Sequence, residues 1–333
     1  MRKTATILLI ALLALTLVAS ACGKKKSEGS SSPTAPSMSA QDILKKATEA
    51  GSSIKSSQVG LDMGISLDMS ASASPDPSLQ VFSQGPVKIT GDMATQVEPM
   101  AVDGTLSLGM AGQTLSLGIK VVDNKMYMDW MGTWYEAPPE VTKALNQQQT
   151  ASPGTTQNYG DLMSTLQSMG VDPNTWAKEL TVVGTEQIDG ATCYHVKMVV
   201  DTGKVVEDIM KMMQDPKVTG IVGADQQKQL EQLGGLSPTD LEQLKSLFTS
   251  AQVDMWVDST NFYTRKMVFD AKLDLSAAGG ATSGVSGMGL NMTVTQSAFN
   301  EPVTVTAPES PQSWKELQKA FGGSSPLGGS TGL

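Results

Sequence analysis

A two-residue period that returns along most of the chain is the feature that most limits what it folds into. Val59, Leu61, Met63, Ile65, Leu67 and Met69 alternate with Gly60, Asp62, Gly64, Ser66 and Asp68. Successive side chains of a strand point to opposite faces, so the pattern predicts a strand with one apolar and one wet face. The alternation returns over 106–110, over 115–121 and, past Asp123-Asn124, in Met126, Met128 and Trp130. It recurs over 194–200, 253–257, 267–275 and 290–294. Short turns such as Asp189-Gly190 join neighbouring runs, so the strands are expected to pair antiparallel in one large sheet with a single apolar face.

Helical spacing interrupts this pattern in a few places. Ser39 followed by Asp42 reads as a capping pair ahead of Ile43, Leu44, Ala47 and Ile54. One helical face is predicted from Tyr159, Leu162, Met163, Leu166 and Met169, and another from Val205, Val206, Ile209, Met212 and Met213. A third helix is predicted to start at Ser237-Pro238-Thr239-Asp240 and to carry Leu241, Leu244 and Phe248. Their apolar faces need a partner, and the apolar face of the sheet is the one available. Segments 70–78, 146–156 and 277–287 read as loops from their Pro, Gly and Ser content, and 322–333 as a Gly/Ser-rich disordered tail.

The N-terminus carries an export signal. Arg2 and Lys3 precede an uncharged apolar run from Ile7 to Val18, too short for a bilayer core that needs about 20 residues. The run closes at Ala19-Ser20-Ala21-Cys22. Small residues ahead of a cysteine resemble the lipobox at which bacterial lipoproteins are cut and acylated, with Ala19 where Leu is commonest. The same letters read as an ordinary A-x-A cleavage site. Residues 1–21 are therefore expected to be a signal peptide, Cys22 the lipidated first residue of the mature chain, and 22–38 a flexible spacer. The lipid, of the palmitate type, would hold the protein at the cell membrane or outer envelope, facing the periplasm or the exterior.

Composition removes several function classes. The net charge of −9 becomes −11 once Arg2 and Lys3 are lost, which argues against a nucleic-acid partner. With Cys22 acylated, Cys193 has no thiol to pair with, so stability is expected from a core and not from disulfides. His195 is the single histidine, and no P-loop, GxSxG, HExxH or CxxC occurs. Cys193 and His195 fall on the polar face of their strand beside Lys197, and read as surface residues replaceable at little cost. The carboxylate pairs Asp62 with Asp68 and Asp254 with Asp258 alternate with apolar neighbours, which reads as a solvated exterior and not as a glycosidase pair. No enzyme activity, cofactor or metal is expected.

The 20 methionines point elsewhere. Met63, Met126, Met128, Met198, Met255 and Met267 fall on apolar strand positions, joined there by Ile65 and Phe269. Flexible thioethers suit a surface that accepts acyl chains of varied shape, and equally suit a filled core.

Several short motifs follow one another in order: Val122-Asp123-Asn124-Lys125-Met126-Tyr127 with Trp134, then Gly184-Thr185-Glu186-Gln187-Ile188-Asp189-Gly190. Later come Val253-Asp254-Met255-Trp256-Val257-Asp258 with Thr260 and Arg265-Lys266, and Phe299-Asn300-Glu301-Pro302-Val303-Thr304-Val305 with Ala307-Pro308. With Cys22 and the first helix, they resemble the LolA/LppX-like envelope lipoprotein carriers, the LppX and LprG type among them. The resemblance implies an α+β fold over residues 39–321: a large, curved antiparallel half-barrel whose helices cover a concave apolar face. It implies a cavity for lipid or acylated cargo, with Met63, Ile65, Met126, Met128, Met198, Met255, Met267 and Phe269 as expected lining. The stretches 137–178 and 203–250 are long for that group. The implied function is lipid or lipoprotein carriage across the envelope; the alternative is a non-catalytic anchored interaction module with a filled core.

Overall fold

The computed structural model describes residues 38–69, 85–142, 171, 173–214, 245–276 and 284–320. Cys22, the helical face at 159–169, residues Leu241 and Leu244, and the loops at 70–78 and 146–156 lie outside them.

The chain opens with helix α1, Ala40–Gly51. Strands β1 (Ser56–Met69), β2 (Val87–Gln96), β3 (Ala101–Met110), β4 (Gln113–Val122), β5 (Lys125–Trp130) and β6 (Thr133–Glu136) follow. A 3-10 turn at Pro173–Trp176 leads into β7 (Ala177–Ile188) and β8 (Ala191–Val200), then helix α2, Thr202–Gln214. Strands β9 (Phe248–Asp258), β10 (Thr264–Asp274), β11 (Val285–Ser297) and β12 (Gln312–Ser313) precede helix α3, Trp314–Ala320. The fold is α+β, built on one sheet in the order β12-β6-β5-β4-β3-β2-β1-β11-β10-β9-β8-β7. Neighbours in this order are consecutive in sequence except at two junctions, β12–β6 at one end and β1–β11, where the meander β7 to β11 returns to the first strand. The order has two ends, so the sheet is not closed.

Sequence dictates the hairpins directly. The turns Ala111-Gly112, Asp123-Asn124, Met131-Gly132 and Asp189-Gly190 all sit at positive φ, between 49° and 82°. Two successive left-handed residues match the twist of the flanking strands, which is why Asn and Gly recur there. Gly118 answers a different need: a Cβ there would lie 2.8 Å from the Asp129 Cβ and 3.0 Å from the Trp134 ring.

Two compact units divide the chain. In the first, α1, the end of β1, β7 to β10, α2 and most of β11 come together. Cross-strand register sets Met267 opposite Met255 and Phe269 opposite Val253, with Val253 and Met255 opposite Met198 and Val196. Directly opposed residues share a face, and Val196, Met198, Val253, Met255 and Phe269 are all buried. A neighbouring cluster joins Val206 of α2 to Leu247, Leu273, Leu275, Val285 and Met288, with Ile65, Leu67 and Met69 packed against it.

The second unit holds the start of β1, β2 to β6, the end of β11, β12 and α3. Its core joins Val121, Met126, Met128, Tyr135 and Ala137 to Trp314 and Leu317 of α3.

Several expectations need correction. The sheet is not wholly antiparallel: β12 pairs parallel with β6. It arrives from β11 through the 298–311 segment and not through a hairpin, so nothing forces its direction. Phe248 is the first residue of β9 and not the end of a helix, and β11 begins at Val285, inside the expected loop 277–287.

Candidate functional site

The apolar face of β8, β9 and β10 is the candidate site in the first unit. Two helices pack on this unit's strands. In α1, Ser39 caps the first turn by accepting from the Asp42 N–H at 3.2 Å. Ala40, Ile43, Leu44 and Ala47 form its buried stripe, and the helix lies against β7 and β9. In α2, the Asp201 carboxylate accepts from the Lys204 N–H at 2.9 Å at the N-terminus, and Val205, Val206 and Met210 are buried.

A carboxylate fixes α2 to the 3-10 turn that precedes β7. Asp208 is 0% exposed and accepts from the Trp176 indole at 2.9 Å, from Lys204 Nζ at 2.7 Å and from Lys211 Nζ at 3.0 Å. Burial pushes its carboxyl up, but the hydrogen bonds from Lys204, Trp176 and Lys211 together outweigh burial and leave it below the usual range. Trp176 is itself fully buried. The 3-10 turn before β7 and the helix after β8 are thus joined by one ion.

Across the sheet from the apolar face lies a connected polar network. His195 Nδ1 meets Glu186 Oε1 at 2.8 Å and Nε2 meets Asp254 Oδ1 at 2.7 Å. The Trp256 indole donates to Glu186 Oε2 at 2.8 Å and its ring stacks on His195, centroids 4.4 Å apart. Lys266 Nζ sits 4.6 Å from the Trp256 ring centroid, and Gln252 donates to Asp254. The indole hydrogen bond is the main reason the Glu186 carboxyl titrates below its usual range. Next to this network Asp258 accepts from Arg265 at 2.8 Å and from the Thr260 N–H at 2.8 Å. Burial raises the Asp258 carboxyl, and these donors, with the Asn261 N–H, bring it below the usual range.

The network corrects the reading of Cys193 and His195 as free surface residues. Cys193 is fully buried, and burial first, then the nearby Asp258 charge, pushes its thiol up. Both ring nitrogens of His195 are taken by carboxylates, so neither is left to activate a thiol, and a protonated thiol is a poor nucleophile. Asp254 and Asp258 are likewise buried and partnered, not solvated. Glu186 and Trp256 both lie in the quoted motifs; β7 was missed as a strand, so Glu186 was not placed beside His195. Among the described residues no group of three or more His, Cys, Asp or Glu is placed to hold a metal ion, and no helix is long and apolar enough to cross a membrane.

The residues expected to line a cavity divide between the units. Met198, Met255, Met267 and Phe269 meet on β8, β9 and β10, and Ile65 packs in the neighbouring cluster of the same unit. Met126 and Met128 sit in the second unit's core, and Met63 is half-buried on β1. Met128 and Met198 are closed off from solvent, whereas Met267 is half-buried. Two open clefts of about 480 and 430 Å³ lie in the second unit. Their walls include Asp92, Asp103, Glu301 and Asp129 with several Ser and Thr side chains, a lining suited to polar groups and not to acyl chains.

No curated protein matches the chain. Among solved structures it is similar to the lipoprotein LppX of Mycobacterium tuberculosis, at 16% identity and a TM-score of 0.35 over 80% of this chain and 97% of that one. It is similar to LprF of Mycobacterium bovis, at 16% identity and a TM-score of 0.37 over 85% and 100%. A LolA superfamily protein of Nitrosomonas europaea matches at 10% identity and a TM-score of 0.18 over 81% and 96%. Residues 39–219, more than half of the chain, match a protein family described as a family of unknown function, DUF6612. The chain belongs to the DUF6612 family.

Proposed function

We propose that this protein is a non-catalytic, exported lipoprotein, anchored through Cys22, that takes acyl chains onto the apolar sheet face and carries lipids or lipoproteins across the cell envelope. The observation that carries this reading is the cross-strand set Met198, Met255, Met267 and Phe269 on one face of β8, β9 and β10. Thioethers in register form a lining that reshapes around a flexible chain at little cost. The fully enclosed Met128 and Met198 favour a second reading, an anchored interaction module with a filled interior.

One pair of variants separates the two. Met198→Trp adds volume where no space exists and is expected to destabilise by about 1–3 kcal/mol. Met267→Trp, at a half-buried position, is expected to lower the lipid content of gently extracted protein with little change in thermal unfolding after delipidation. Equal destabilisation by both, with no lipid in the wild type, supports the filled module instead.

A further inference from the structure

We propose that the β3–β4 hairpin, with the adjoining β5–β6 turn, is a contact surface for the neutral interior edge of a lipid bilayer. No charged residue occurs from Gly104 to Ile119 in a chain of net charge −9. The nearest charges on the hairpin itself are Asp103 and Lys120, which pair at its base at 3.3 Å. At ~3.4 Å per residue, the Ala111 turn lies about 27 Å further along the strand. On one face of the hairpin Leu106 opposes Leu117 and Leu108 opposes Leu115. The other face carries Thr105, Ser107, Thr114 and Ser116, with the Ser107 and Ser116 hydroxyls 2.9 Å apart.

The apolar face is not covered at its tip. β5 ends opposite Leu117, at Trp130, so β4 continues past its partner. Met110 is 41% exposed, Leu115 42% and Met131 78%. Leu115 and Met131 border a cleft whose other walls include Thr105, Thr114, Ser116 and Asp129 of the hydroxyl face, so the turn adds an exposed apolar side chain beside that face. Of the charges near the tip and the turn, Lys88 and Asp62 pair at 2.9 Å with Lys88 on the hydroxyl face, and Asp129, opposite Gly118, stands on that same face.

These features decide between partners. A protein partner reading charge finds none on the hairpin between Gly104 and Ile119, and an anionic surface is repelled by the acidic chain. A bilayer edge needs apolar side chains to enter the acyl region and uncharged hydrogen-bonding groups at the level of the glycerol and carbonyl layer, and the two faces supply these. The contact requires neither cargo in the interior nor a particular lipid.

The test uses the full chain reconstituted in phosphatidylcholine vesicles with brominated acyl chains. An environment-sensitive fluorophore is attached at Met131→Cys, with Lys125→Cys, at the opposite end of β5, as control and the unsubstituted chain labelled in parallel as background. A blue shift with bromine quenching at position 131 and none at 125 is expected, unchanged by added salt. Leu115→Asp is expected to remove the shift while leaving thermal unfolding unaltered, because that side chain is already part-exposed. Absence of quenching at 131, or equal quenching at both positions, overturns the proposal. So does quenching that persists once vesicles are removed, which marks bound cargo, or a concentration-dependent shift without vesicles, which marks a second copy. Lipid content of the same preparations, measured separately, distinguishes failure of this contact from failure of the carrier reading.

Discussion

Asp208 on α2 and His195 on β8 each tie separate elements of the first unit together through polar side-chain contacts. Asp208 is enclosed and takes three donors, so Asp208→Ala is expected to cost about 1–3 kcal/mol, read by chemical denaturation, through loss of the Trp176 and lysine bonds. Its carboxyl and that of Asp258 both titrate below the ordinary value of 3.8 when folded. The stability they contribute is therefore fully present above that value and is lost as pH falls through the lower folded values. Part of the wild-type stability should thus be lost as pH falls below 3.8, and Asp208→Asn, which lacks that contribution at every pH, should flatten the acid limb of a thermal stability profile. His195→Ala removes the ring that bridges Glu186 and buried Asp254, and is expected to destabilise by about 1–3 kcal/mol. An unchanged unfolding midpoint for His195→Ala would restore the surface reading of this residue. That reading failed for a physical reason: alternation assigns a side chain to a face, but only cross-strand register shows what else stands on that face.

At the scale of elements, caps and strand periodicity were legible and short or edge elements were not. The Ser39 cap was readable from its spacing to Asp42, and Ser39→Ala is expected to cost about 1 kcal/mol in thermal unfolding. The strongly alternating strands β1, β3, β4, β5 and β8 stand where the period placed them. β7 was not legible because it ends the strand order and mixes Lys178, Glu179, Thr185 and Glu186 among its apolar residues. β2 was masked by Gly91 and Asp92, and α3 is too short for a period to show. Yet α3 closes a core: Leu317 is fully buried beside Trp314, so Leu317→Ala is expected to cost about 2–5 kcal/mol. Of the candidate site, the methionine-bearing faces were legible and their division between two units was not, since contacts between distant strands leave no local pattern.

For the whole molecule, a single sheet whose first strand lies between two meanders brings early and late parts of the chain together, and anchoring would set it at a membrane. Cys22→Ala is expected to move the protein from the membrane fraction to the soluble fraction and to remove the acyl mass from its N-terminus; retention at the membrane would contradict the anchor. The central claim is that acyl chains occupy the apolar sheet face. Native mass spectrometry of wild-type protein, extracted from cells in mild detergent, tests this most directly. The carrier account predicts a lipid adduct whose occupancy falls in Met267→Trp. Bare protein in both, from cells whose envelope lipids are intact, would contradict it.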